Sequence, residues 1–154
     1  MSTESSTDAW MRTWAVFCAR VVLGIIFGMA GFDKVFNMTP VGHAERLFTV
    51  PYADSWIPYW MLFGAGVTIP FIELVFGWLL VVGWRIRESM IALGLILIMV
   101  TYGHLLANAI FSFSGHVIPR LALLVFVSWV PREVDRLSVD AWLARKVGTG
   151  GVQR

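Results

Sequence analysis

Apolar positions in this chain gather into four runs, separated by short stretches rich in charge, Pro and Gly. The first runs from about Trp14 to Phe32 with Arg20 as its one interior charge, and Asp33 and Lys34 mark its end. The second spans Tyr59 to Trp84 around a lone Glu73; Pro58 suits a helix start, and Pro70 predicts a kink that neighbouring helices must accommodate. The third, Ser89 to Phe113, holds His104 and Asn108 as its strongly polar groups. The fourth, about Ile118 to Val130, contains Arg120 and is short: at ~1.5 Å per residue it reaches roughly 20 Å, less than the ~30 Å of a hydrocarbon layer. Gly115-His116 before it is expected to dip below the outer interface.

These runs predict an all-α integral membrane four-helix bundle over residues 14–131, with a cytoplasmic N-terminal segment at 1–13 and a cytoplasmic tail at 132–154. The segment "NMTPVGHAERLFTVPYADSWIPYW" is expected to lie on the membrane surface, anchored by Trp56, Tyr59 and Trp60. In the tail, Ser138 can cap a short amphipathic helix to about Lys146, anchored by Trp142 and ended by Gly148.

Composition agrees with the pattern. Of the 154 residues, 58% are hydrophobic and 14% charged, and the mean hydropathy of +0.73 belongs to a membrane protein. A net charge of +2, with no basic cluster interleaved with aromatics, excludes a nucleic-acid partner. The opening "MSTESSTDAW" has no positive n-region, so the first span is expected to be retained rather than cleaved as a signal. Charge also sets orientation. Arg12, Arg85, Arg87, Arg132, Arg136, Arg145, Lys146 and Arg154 fall on one side against Lys34 and Arg46 on the other, which puts both termini in the cytoplasm and requires an even number of crossings.

The intramembrane charges are the candidate chemistry. Counted from Trp14, Trp84 and Trp129, Arg20, Glu73 and Arg120 lie roughly 9, 16 and 13 Å above the inner interface, in one layer. An unpaired Arg there costs at least ~2.5–3.5 kcal/mol, so all three are expected to turn inward, Arg20 touching Glu73 with Arg120 in reach. Such a layer either fixes helix register or forms a net positive pocket for an anionic or carbonyl-rich head group. A second polar set, Asp33, Lys34, Tyr102, His104, Asn108 and His116, with His43 and Glu45, belongs to the outer half. His104 is expected inside the bundle, and His43 and His116 at the interface. The three His come from different segments without H-x-x-x-H or E-x-x-H spacing, so neither metal nor haem is expected. Gly24, Gly28, Gly31, Gly77 and Gly83 read as close helix contacts. Cys18, the single cysteine, is expected to be buried in an apolar helix and unreactive.

"ARVVLGIIFGMAGFDKVF" and "PFIELVFGWLLVVGW" resemble the two helix motifs of the DoxX family of small four-helix bacterial membrane proteins, Arg20, Gly31, Lys34, Glu73 and Gly77 falling on the motif positions. The resemblance implies a bacterial cytoplasmic (inner) membrane location and kinship with the membrane subunit of quinone-linked oxidoreductases. The absence of a cysteine pair argues against dithiol chemistry. The expected function is a membrane subunit that binds a quinone or similar small amphipathic molecule for a redox partner, with membrane lipids and other membrane subunits as neighbours. The alternatives are a non-catalytic structural subunit of a larger membrane complex, or a lipid-binding carrier.

Overall fold

The computed structural model of the chain describes residues 6–107, 115 and 117–150. Among the described residues six α-helices occur in order: α1 (Ser6–Phe32), α2 (Pro40–Ala44), α3 (Tyr59–Val82), α4 (Ile86–Ala107), α5 (Val117–Trp129) and α6 (Val139–Gly150). Among the described residues there is no strand. Three of these helices are long and apolar enough to cross a membrane, and α5 is a shorter apolar one. The protein is thus a multi-pass all-α membrane bundle. Asn108 and His116 lie outside the described residues.

α1 starts at Ser6, two turns before the apolar run at Trp14, with Asp8 in its first turn where a negative charge complements the helix dipole. At its far end α1 continues into a π-helical turn, Asp33–Asn37, closed by the Met38 amide donating to the Asp33 carbonyl five residues back at 3.0 Å. One extra residue in that turn rotates the chain beyond it relative to a regular helix.

The main contact is α1 against α3, and glycines make it possible. A Cβ on Gly77 would stand 2.3 Å from the Gly28 amide nitrogen, and one on Gly31 2.3 Å from that of Leu74. Backbone meets backbone at both points, so the glycines serve close helix approach as expected. Around this pair Leu23, Phe27, Leu80, Met90, Leu93, Leu97, Val117 and Val127 form the core. Cys18 faces outward rather than into the core. α1 is apolar nearly all round, so hydropathy could not choose which of its faces meets lipid.

The segment after α1 departs from the surface-lying expectation. Trp56, Tyr59 and Trp60 are exposed, as anchoring residues should be, but α2 is inserted against α3. Ala44 is fully buried, and a Cβ on Gly66 would approach the Ala44 Cα to 2.5 Å. His43, expected at the interface, is only 2% exposed, and its Nδ1 donates to the Gly66 carbonyl at 2.6 Å. The reason is Pro70: without an N–H it cannot serve the carbonyl four residues earlier, which is that of Gly66. His43 supplies the missing donor.

α3 ends in a Schellman motif. Gly83 takes φ +78°, its amide donates to the Leu80 carbonyl at 3.2 Å, and the Trp84 amide donates to that of Leu79 at 3.0 Å. The tail packs on this end. Ser138 caps α6 by accepting from the Ala141 amide at 3.2 Å, as the sequence suggests, although α6 runs past Gly148. The Asp140 carboxylate accepts from the Arg85 and Ile86 amides at 3.0 and 2.9 Å, which holds Arg85 in its left-handed conformation (φ 52°) at the start of α4.

Candidate functional site

The structure separates Arg20 from Glu73, against the expectation of one charged layer. Arg20 is fully buried at the C-terminal end of α3, where Nη1 donates to the Leu80 and Val81 carbonyls at 2.5 and 2.9 Å and Nη2 to the Leu137 carbonyl at 3.0 Å. Nε lies 2.9 Å from Asp135 Oδ2, an ion pair in which the N–H does not point squarely at the oxygen. The last carbonyls of a helix have no intrahelical donor and carry the negative end of its dipole, so a guanidinium is well matched to them. Burial pushes the Asp135 carboxyl above its ordinary value, while Arg20 pulls it back. Glu73 sits seven residues before Leu80, about 10 Å along the helix. The Arg20 site is a structural clasp between α1, α3 and the tail.

Glu73 instead pairs with Lys34, which the π-helical turn after α1 presents to it. Both line a cavity of about 710 Å³ enclosed by α1, α3, α4, α5 and the 43–57 segment. Its walls are mostly apolar, with Phe27, Phe48, Trp56, Ile69, Leu97 and Val117 among them. Among the described residues the polar groups reaching it are Lys34, Glu73, Arg120, His43, Tyr52, Tyr102 and His104. Thus Lys34, Tyr102 and His104 of the expected outer set meet Glu73 and Arg120 of the expected inner layer, and Arg20 is replaced by Lys34. Asp33 stays outside, accepting from Asn37 Nδ2 at 2.8 Å on the exposed side.

Arg120 differs from the other cations. Its Cζ stands 5.5 Å over the Phe27 ring, and among the described residues its guanidinium has no hydrogen bond and no ion pair. Lys34 and Arg120 against Glu73 leave one net positive charge. His43 adds none at neutral pH, because burial lowers its pKa, with the Gly66 bond acting the other way. Since the Gly66 carbonyl can only accept, Nδ1 carries the ring proton and Nε2 is left as a lone pair. Tyr52 closes one wall of the cavity by donating to the Gly103 carbonyl on α4 at 2.7 Å. Among the described residues no three His, Cys, Asp or Glu side chains are grouped to hold a metal ion.

Sequence reasoning misses His43 and Tyr52 as site residues. For His43 a signal is present, in a proline whose i−4 carbonyl needs a donor; for Tyr52 there is none.

Residues 15–108 match the sequence model of the DoxX family. No curated protein and no solved structure matches the chain.

Proposed function

The chain belongs to the DoxX family, and from that premise we propose that it binds a quinone or similar small amphipathic molecule in the cavity around Lys34, Glu73 and Arg120, in service of a membrane redox system. The observation that carries the reading is Arg120, a guanidinium without a counter-ion among the described residues, on the wall of a mostly apolar cavity. A ligand that brings a carbonyl or oxyanion supplies what this side chain lacks, and an apolar ring fills the remaining volume against Phe27, Phe48 and Trp56.

In this reading Arg120 and Lys34 donate to ligand oxygens, Glu73 holds Lys34 in place, and His43 Nε2 accepts from a hydroxyl of the reduced quinol. Reduction of a quinone to the quinol takes two electrons and two protons. The electrons come from a partner protein, and the Lys34–Glu73 pair offers a proton route. In this reading the protein sits in the bacterial inner membrane with both termini cytoplasmic, and the cavity then lies in the outer half.

Titration of the purified chain with a short-chain ubiquinone analogue should quench tryptophan fluorescence through Trp56, saturating at one molecule per chain. Arg120→Leu should weaken binding at least tenfold, and Trp56→Phe should remove most of the quenching but not the binding. Equal affinity in Arg120→Leu would overturn the reading. An endogenous phospholipid filling this cavity, undisplaced by the analogue, would favour a lipid carrier.

A further inference from the structure

A second cavity, of about 550 Å³, lies at the opposite end of the bundle beneath α6. Its floor is apolar, made of Val16, Ile86, Val127 and Val130, and its rim carries Arg132, Arg136 and Arg145. Three acids also line it, but two are already engaged. Asp135 is paired with Arg20 and its other oxygen is covered; Asp140 accepts from the Arg85 and Ile86 amides. Asp140 keeps its charge, so Glu133 and Asp140 together leave the three rim arginines one positive charge in excess. Arg132 and Arg136 are exposed, and among the described residues neither guanidinium has a hydrogen bond or ion pair. Arg145 is fastened beside them, Nη2 donating to the Arg136 carbonyl and Nε to that of Ala141, both at 3.2 Å.

The level of this cavity in the membrane is marked by tryptophans. Trp14, Trp84, Trp129 and Trp142 are all exposed around this end, Trp129 to 83%, and the Trp142 ring carries the Lys146 ammonium at 3.9 Å. Exposed tryptophans at the ends of membrane helices sit among lipid head groups. An apolar floor beneath a net positive rim at that depth matches a molecule with an acyl chain and an anionic phosphate.

We infer that this cavity is a binding site for one anionic phospholipid, its phosphate held by Arg132 and Arg136 and the upper part of an acyl chain lying over Val16, Val127 and Val130. This is separate from general adhesion of α6 to the membrane, because the cations that hold the phosphate belong to the 131–138 segment. It is also independent of the ligand of the outer cavity.

The test is native mass spectrometry of the full chain in detergent, titrated with dioleoylphosphatidylglycerol, dioleoylphosphatidylcholine or inorganic phosphate. One phosphatidylglycerol should bind at least tenfold more tightly than phosphatidylcholine. Arg132→Gln with Arg136→Gln should abolish that preference, and the helical circular dichroism should stay unchanged. A second variant, Ala144→Phe, fills the cavity and keeps every charge; it should also displace the lipid. Equal binding of the two lipids, or full phosphatidylglycerol binding by either variant, would overturn the assignment. Inorganic phosphate competing at concentrations comparable to the lipid would show a free-anion site and refute the lipid.

Discussion

Replacing Arg20 with Met keeps the length and apolar stem of the side chain but removes every donor. Four acceptors are then abandoned at once: the Leu80, Val81 and Leu137 carbonyls and Asp135 Oδ2. Leaving one member of a buried ion pair alone typically costs ~3–5 kcal/mol. The Leu80 carbonyl retains the Gly83 amide, so it loses little; Val81 and Leu137 each add ~1 kcal/mol or more for an unmet acceptor. The variant should therefore lose about 5 kcal/mol or more in reversible unfolding in mixed detergent micelles. The loss should be pH-dependent. Without Arg20, burial and Asp140 act on Asp135 in the same direction, raising its folded pKa further above the ordinary value of 3.8. A raised folded pKa means stability is greatest below the unfolded value and is lost as pH rises through the folded one, so the variant should suffer less at about pH 4 than at about pH 7. Adding Asp135→Leu should recover the charge-derived part and leave ~1–3 kcal/mol for the carbonyls. A loss under about 1 kcal/mol for Arg20→Met, or full recovery in the double variant, would refute the clasp.

Pro70 and His43 should be coupled: Pro70→Ala restores an amide donor to the Gly66 carbonyl, so His43→Ala should cost at least ~1 kcal/mol less in that background, and additive losses in unfolding would contradict this. Because burial lowers the His43 pKa, its contribution is present above pH ~6.5 and is lost as pH falls through the lower folded value; His43→Gln should flatten the stability profile over that window. Gly77→Val should disrupt the α1/α3 contact and the expressed fold, judged by size exclusion, whereas Gly64→Ala, where a Cβ meets nothing within 4 Å, should be silent. In a Cys18→Ser background, a cysteine at Gly150 should react with an impermeant maleimide only after the cells are opened; reaction in intact cells would reverse the assigned orientation.

Hydropathy is sufficient for the three long spans, though not for the short α5, because burial in lipid acts on the whole run of residues. It also serves the glycines, since small residues at helical spacing have few other uses in a membrane. It fails at Arg20. The hydropathy pattern suggests charge pairing among side chains of the spanning helices, but the partners of Arg20 are mostly backbone carbonyls at a helix end, plus Asp135 from the tail. Counting depth from tryptophans hides this, since α1 begins at Ser6 rather than near Trp14, and Trp84 lies beyond the end of α3. Lys34 reads as an interfacial marker because the π-helical turn that presents it to Glu73 leaves no trace in composition.

Photolabelling of the full chain in native membranes with an azido-quinone, followed by peptide mapping, addresses the outer cavity most directly. Adducts should fall within 47–57 on the outer segment and 96–106 on α4, be competed by unlabelled quinone, and be lost in Arg120→Leu. Labelling confined to lipid-facing positions such as Ile91 and Val125, unaffected by competitor or by Arg120→Leu, would contradict a quinone-type ligand in this cavity.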